Sequence, residues 1–300
     1  VTTELAVISG KGGTGKTSLT ASFAVLADRP ILADCDVDAP DLHLLLAPEV
    51  RRSHAFRGGA KATVDPGRCS GCGTCSMLCR FDGPREILTG QDAGAYGIDP
   101  FACEGCGVCA RFCPENAITL EDRVGGTWAV SDTRRGPMVH ARLRPGAENS
   151  GRLVSIIRRE AQDLARVGDR SLILIDGPPG VGCPLIASVT GATLVLLVTE
   201  PTISGRHDLW RALSLANHFA IPAAVCVNKW DLNPQITEQI EREAERRGAH
   251  LAGRVRYDPA VTLAQIHTRT IVEDGGPAAE DVHRTWARLQ AWGSIAAENR

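Results

Sequence analysis

The stretch Leu5-Ala-Val-Ile-Ser-Gly-Lys-Gly-Gly-Thr-Gly-Lys-Thr17 decides the fold. Its first residues read as a buried strand, its glycines as a loop, and the apolar residues through Leu26 as a helix. Gly10, Gly15, Lys16 and Thr17 occupy the positions of the pattern GxxxxGK(S/T). Glycines let the backbone wrap, so that successive N–H groups and the helix N-terminus face phosphate oxygens. Lys16 is then expected to neutralise the β and γ phosphates, and Thr17 to place its hydroxyl on Mg2+. The nucleotide-binding residues expected here are Gly10, Lys11, Gly12, Gly13, Thr14, Gly15, Lys16 and Thr17. An ordinary glycine-rich turn is the bland alternative; the strand before, the helix after and the acidic partners downstream argue against it.

Outward from this stretch the strand and helix rhythm continues. Ile31 to Ala33 is a second short strand, ending in Asp34-Cys-Asp-Val-Asp38. Leu172 to Ile175, Thr193 to Val198 and Ala223 to Val227 are apolar throughout, as parallel strands covered on both faces are. Helical spacing marks Leu153 to Val167, about 205 to 218, and 234 to 247; strands are expected at Thr127 to Asp132 and Met138 to Leu143. This order predicts an α/β fold, a mostly parallel sheet with helices on both faces. The rhythm breaks between Gly59 and Asp122, a segment rich in Gly and Cys. The expected domains are therefore 1–58 with 123–300, and an insert, 59–122.

The whole loop KGGTGKT, with its additional Lys11, resembles the deviant Walker A loop of the MinD, ParA and Mrp ATPases, a group that includes the nitrogenase iron protein. The resemblance implies a P-loop NTPase that binds and hydrolyses ATP as a homodimer, with Lys11 reaching the partner's phosphates. It implies that Asp34 supports the Mg2+ shell, that Asp36 orients the attacking water, and that Asp176, before Gly177-Pro-Pro-Gly180, is the Walker B carboxylate. Lys11, Lys16 and Asp36 are then the catalytic residues, and Thr17, Asp34 and Asp176 the magnesium residues. Phosphoryl transfer needs mainly positioning and charge neutralisation, so no covalent nucleophile is required. Asn228 and Asp231, in Asn228-Lys-Trp-Asp231 after a buried strand, are candidates for base recognition; the motif also resembles the guanine motif of GTPases, which keeps GTP open as the nucleotide.

Composition supports the phosphate reading. Of 33 basic residues only Lys11, Lys16, Lys61 and Lys229 are lysine. A compact ammonium fits between phosphate oxygens where a planar guanidinium does not, and three of the four lysines fall at the presumed nucleotide site.

Of the eleven cysteines, Cys69, Cys72, Cys75 and Cys79 follow the spacing CxxCxxCxxxC, and Cys103, Cys106, Cys109 and Cys113 repeat it before Pro114. This is the bacterial two-cluster ferredoxin pattern, in which the fourth cysteine of each run ligates the other run's cluster. Cys69, Cys72, Cys75 and Cys113 are therefore expected to hold one [4Fe-4S] cluster, and Cys79, Cys103, Cys106 and Cys109 the other. The insert thus reads as a small ferredoxin-like α+β domain. Structural zinc normally takes two CxxC pairs and fits the spacing poorly. Arg80 stands where proline often follows the fourth cysteine. Residues 59–122 carry five basic and nine acidic groups, a local charge of -4 that suits either docking to a basic redox partner or plain solubility. Cys35 and Cys226 read as core residues. Cys183 follows Asp176 at a spacing resembling that of a cluster ligand in the nitrogenase iron protein, with packing as the favoured role.

The remaining features mostly exclude. With 43% apolar residues, 23% charged and a net charge of -2, the chain is neither disordered nor a strongly basic nucleic-acid binder. No apolar run spans a membrane, the N-terminal stretch lacks signal-peptide architecture, and thiol clusters suit a reducing compartment, so a cytoplasmic protein is expected. Val282, Trp286, Leu289 and Trp292 share a helical face, expected to dock on the sheet rather than target a membrane. The functional expectation is ATP-driven work through two [4Fe-4S] clusters: electron transfer to a partner protein, or iron-sulfur or metal-cofactor assembly on it. The alternative is a regulatory or positioning ATPase whose clusters are structural or sense redox state.

Overall fold

The computed structural model describes residues 2–147 and 150–298. Its strands are β1 (Thr3–Ser9), β2 (Ile31–Asp34), β3 (Glu49–Val64), β4 (Pro84–Glu86), β5 (Tyr96–Ile98), β6 (Ile118–Thr133), β7 (Gly136–Leu143), β8 (Leu172–Pro179), β9 (Leu194–Thr199), β10 (Ala223–Asn228) and β11 (His250–Val255). The helices are α1 (Lys16–Leu26), α2 (Leu42–Leu46), α3 (Thr74–Leu78), α4 (Val108–Arg111), α5 (Ser150–Val167), α6 (Cys183–Val189), α7 (Ile203–His218), α8 (Pro234–Arg246), α9 (Pro259–Ile266), α10 (Ile271–Asp274) and α11 (Pro277–Glu298).

Nine strands form one sheet in the order β11-β10-β9-β1-β8-β2-β7-β6-β3. The pairings from β11 through to β7 are parallel. Only two residues join β6 to β7, so those strands form a hairpin, the antiparallel exception at this side. Burial on both faces explains the apolar strands. Leu5 and Val7 of β1, Leu174 of β8 and Leu196 and Val198 of β9 share a core with α1, α10 and α11. Their alternates Ala6, Ile8, Ile175 and Leu197 are buried as well, on the opposite face, where α5, α6 and α7 pack. In α11, Val282, Trp286 and Leu289 are buried, and Trp286 stacks on Phe23 with ring centroids 5.0 Å apart. Among the described residues no helix is long and apolar enough to cross a membrane.

The chain divides into two compact units. One comprises Val1–His54, Trp128–Arg142 and Ser150–Arg300, the other Ala55–Thr127 and Leu143–Asn149. The second unit has a small core, in which Ala62, Cys75, Cys103 and Ile118 are buried and Val64, Tyr96 and Ile98 pack against them. Two of those four buried residues are cluster-spaced cysteines.

The β6–β7 turn carries a clamp that the strand pattern does not reveal. Arg134 grips Glu273 of α10 through both carboxylate oxygens, at 3.2 and 2.9 Å, and donates to the Leu45 carbonyl at 2.6 Å. Glu273 also accepts from the Thr270 amide and hydroxyl, closing a capping box. Burial alone would raise this carboxyl, but Arg134 and Thr270 outweigh it and hold it down to about 2, from an ordinary 4.5. A carboxylate depressed in the folded state stabilises above its unfolded pKa, and that contribution is lost as pH falls through the folded value. Glu273→Gln is therefore expected to cost about 2 kcal/mol at pH 7. In denaturant titrations the gap between variant and parent should narrow as pH falls from about 4.5 towards about 2; a gap independent of pH would refute the clamp.

Candidate functional site

The loop between β1 and α1 bends through Gly13 (φ +80°) and Gly15 (φ +84°). A side chain at Gly15 would lie 2.3 Å from the Asn228 amide nitrogen, so glycine is required there for space as well as for φ. The loop forms one wall of a cleft lined also by Asp36, Asp38, Leu44, Pro184 and Gln265. Gly12, Gly13, Thr14, Gly15, Lys16 and Thr17 all line it; Gly10 and Lys11 do not. The Thr14 hydroxyl is buried and lacks a hydrogen-bond partner among the described residues. Such a donor calls for a ligand oxygen.

Carboxylates gather beneath the loop because three parallel strands end side by side. Asp176 on β8 is in register with Asp34 on β2 and with Val7 on β1. Lys16 reaches Asp176 at 3.0 Å and Asp36 at 3.8 Å. Asp176 also accepts from Thr17 at 2.7 Å and Thr20 at 2.9 Å. Asp34 is fully buried and accepts from the amides of Asp36 (3.2 Å) and Leu42 (3.3 Å). Burial, and then Asp176, push the Asp34 carboxyl well above the ordinary range against the pull of Lys16. Asp36 is pushed up to about 6, first by burial and then by Asp176, with Lys16 opposing. Burial works against the Lys16 ammonium, but Asp176, Asp36 and Asp34 outweigh it and raise its pKa. No three of these carboxylates form a cation site by themselves, but the Thr17 hydroxyl and Asp176, 2.7 Å apart, suit Mg2+, which takes one or two carboxylates and completes its shell with nucleotide phosphates and water.

Other expected residues stand elsewhere. Lys11 pairs with Glu200 at 3.2 Å and lies near Thr202 and Ser204. Lys229 pairs with the same Glu200 and donates to the Gly13 carbonyl at 3.2 Å, bracing the loop from outside the cleft. Asn228 donates to the Thr14 carbonyl at 2.8 Å, and Asp231 accepts from the Tyr257 amide at 2.7 Å. Neither lines the cleft. Glu200, Thr20 and Gln265 escaped the sequence reading. Glu200 had a usable signal, an acidic residue just past a buried strand, which is where α/β sheets place ligand sites.

In the second unit the cysteines converge as two sets of four. One small pocket is lined by Cys69, Cys72, Cys75 and Cys113, and a second by Cys79, Cys103, Cys106 and Cys109. Each set takes three cysteines from one run and the last from the other. Backbone amides donate to thiols in both sets, Gly105 to Cys103 at 3.4 Å and Ala117 to Cys113 at 3.3 Å. In the first set the Thr74 hydroxyl lies 3.4 Å from the Cys72 sulfur and lowers that thiol's pKa, while burial raises those of Cys75 and Cys109. No three His, Cys, Asp or Glu among the described residues form a site for a single metal ion. Cys35 and Cys226 are fully buried, and burial pushes the Cys226 thiol up to about 12; Cys183 is exposed at the start of α6.

The sequence profile of the CobQ/CobB/MinD/ParA nucleotide binding domain matches residues 5–271. The chain belongs to this family. An uncharacterized protein of Methanocaldococcus jannaschii, MJ0578, is 34% identical over 236 residues, covering 77% of this chain and 79% of the relative. A second uncharacterized protein of that organism, MJ0579, is 24% identical over 258 residues, covering 76% and 81%. The fold is similar to the cell division ATPase MinD of Pyrococcus furiosus (TM-score 0.56, 17% identity, 97% of this chain and 100% of that one). It is likewise similar to the septum site-determining protein MinD of Pyrococcus horikoshii in complex with Mg-ADP (TM-score 0.57, 15% identity, 99% of both chains). This family member is an α/β P-loop NTPase with a nucleotide-binding domain spanning most of its length.

Proposed function

We propose that this protein is an ATPase whose nucleotide cycle drives chemistry through two [4Fe-4S] clusters, for electron transfer to a partner protein or for iron-sulfur or metal-cofactor assembly on it. The observation that carries the cluster half is the partition of eight cysteines into two cavities, each with three ligands from one run and the fourth from the other. This exchange of the fourth ligand is the pattern of two-cluster ferredoxins. Residues 59–122 then act as an inserted ferredoxin-like domain. The clusters supply one-electron redox chemistry; the chain supplies thiolates, amide donors and partial exclusion of water.

The nucleotide half rests on the cleft. Lys16 and the loop amides bind the β and γ phosphates, Thr17 with Asp34 and Asp176 supports Mg2+, and Asp36 orients the attacking water. Asp36, pushed up to about 6, is still mostly the carboxylate at pH 7 and so accepts a hydrogen bond from that water. Its similarity to a MinD bound to Mg-ADP supports this choice of ligand. Lys11, held by Glu200 in the single chain, turns to the phosphates of a second copy when a homodimer closes on nucleotide. Hydrolysis assays with ATP and with GTP, on anaerobically purified protein in reduced and oxidised states, test the proposal. ATP turnover that changes with cluster oxidation, accompanied by reduction of an added acceptor or transfer of iron to an apo-protein, supports it. Turnover responding to redox state without electron or iron transfer points instead to a regulatory ATPase.

A further inference from the structure

Lys61 is the lysine that the phosphate site leaves unused, in a chain that otherwise uses arginine for nearly all its cations. It lies on β3, half-buried, and its ammonium donates to the backbone carbonyl of Cys103. The surroundings fix that approach. A side chain at Gly105 (φ +65°) would lie 2.1 Å from the Ala60 carbonyl oxygen, so the strand runs directly against the Cys103–Gly105 loop. Ala62, on the other side of Lys61, lines the same cavity as Cys79, Cys103, Cys106 and Cys109. We infer that Lys61 is a tuning cation, which raises the reduction potential of the cluster held by Cys79, Cys103, Cys106 and Cys109 above that of the other and so sets the order in which the two accept electrons. This inference rests on the cluster reading.

The other dipoles and charges near the two sets do not account for such a difference. Amide-to-sulfur hydrogen bonds are present in both sets at almost equal lengths, so they do not separate the two. The Thr74 hydroxyl on Cys72 favours the first set, but a neutral dipole is weaker than a full charge in a partly dry site. Arg68, the cation near the first set, is exposed and donates to the Glu115 carbonyl at 3.2 Å, where water screens it. Around the second set, Arg85 and Asp99 largely cancel as a pair at 3.0 Å, and Glu104 is exposed. Arg80, Asp82 and Arg111 are exposed as well, where water screens them, so the half-buried Lys61 ammonium, which also faces Asp99, is the least screened cation there. Each cluster takes up one electron with no bond made or broken, and a positive charge beside it stabilises the reduced form.

The test is a potentiometric titration of the full chain, purified anaerobically, with a low-potential chemical reductant and EPR as the readout. The parent protein is expected to show two separate one-electron steps. Lys61→Met should lower only the higher one, by on the order of tenfold in the reduction equilibrium, or 59 mV. Lys61→Gln keeps a hydrogen bond to Cys103 and loses the charge, so it should shift like Lys61→Met, whereas Lys61→Arg should stay near the parent value. Unmoved steps in Lys61→Gln with iron retained, equal shifts of both steps, or iron loss from all three variants would each overturn the inference. A parent protein without any iron-sulfur signal would instead overturn the reading beneath it.

Discussion

Lys16→Ala is expected to lower affinity for the Mg2+ nucleotide at least a hundredfold, about 2.7 kcal/mol, in a calorimetric titration. The size follows from the charges. Lys16 is 6% exposed and stands between Asp176 and Asp36. Without it, three carboxylates repel one another and the incoming phosphates, and Asp176 is left buried without its cation partner. Circular dichroism with denaturant would separate the folding cost from the binding loss. Asp36→Ala provides the contrast: it retains binding and lowers turnover by about 10² to 10³, because it removes a group needed to orient water rather than one that holds phosphate. Parent-like affinity in Lys16→Ala would place the nucleotide elsewhere.

If the proposed clusters are present, removing iron with a chelator is expected to unfold the second unit and to leave nucleotide affinity within about threefold of the intact protein. In that unit the described buried apolar residues are few, and Cys75 and Cys103 count among the four at its centre. A core of this size does not offset the entropy of ordering such a Gly-rich segment, and on the proposed reading the clusters contribute the difference. Cys103→Ala should act similarly, through loss of one cluster. Limited proteolysis reads the effect: cleavage between 65 and 117 should become at least tenfold faster in the chelated protein. An iron-free chain that resists protease would show that side-chain packing alone suffices.

Much of this was legible because the signals are local. The loop with its flanking strand and helix, the apolar strands ending in Asp34 and Asp176, and the two cysteine runs each fall within a few residues; the first two mark the fold and the cleft, and the third is the basis of the cluster proposal. The bracing of the loop by Asn228 and Lys229 was not legible in that form. It depends on β10 lying two strands from β1, which is a property of strand order rather than of the motif. Glu200, holding both Lys11 and Lys229, is hidden for the same reason. The long strand β3 went unread because its first seven residues are exposed on all sides and show no alternation of burial. Strands β4 and β5 and helices α3 and α4 are too short for any period to register.

The central claim, that one chain joins a nucleotide switch to two iron-sulfur clusters, is tested most directly by counting iron and acid-labile sulfide in protein purified without oxygen. About eight of each per chain, with a cluster EPR signal on reduction, is the predicted result. Zinc in place of iron, or iron without sulfide, would contradict it.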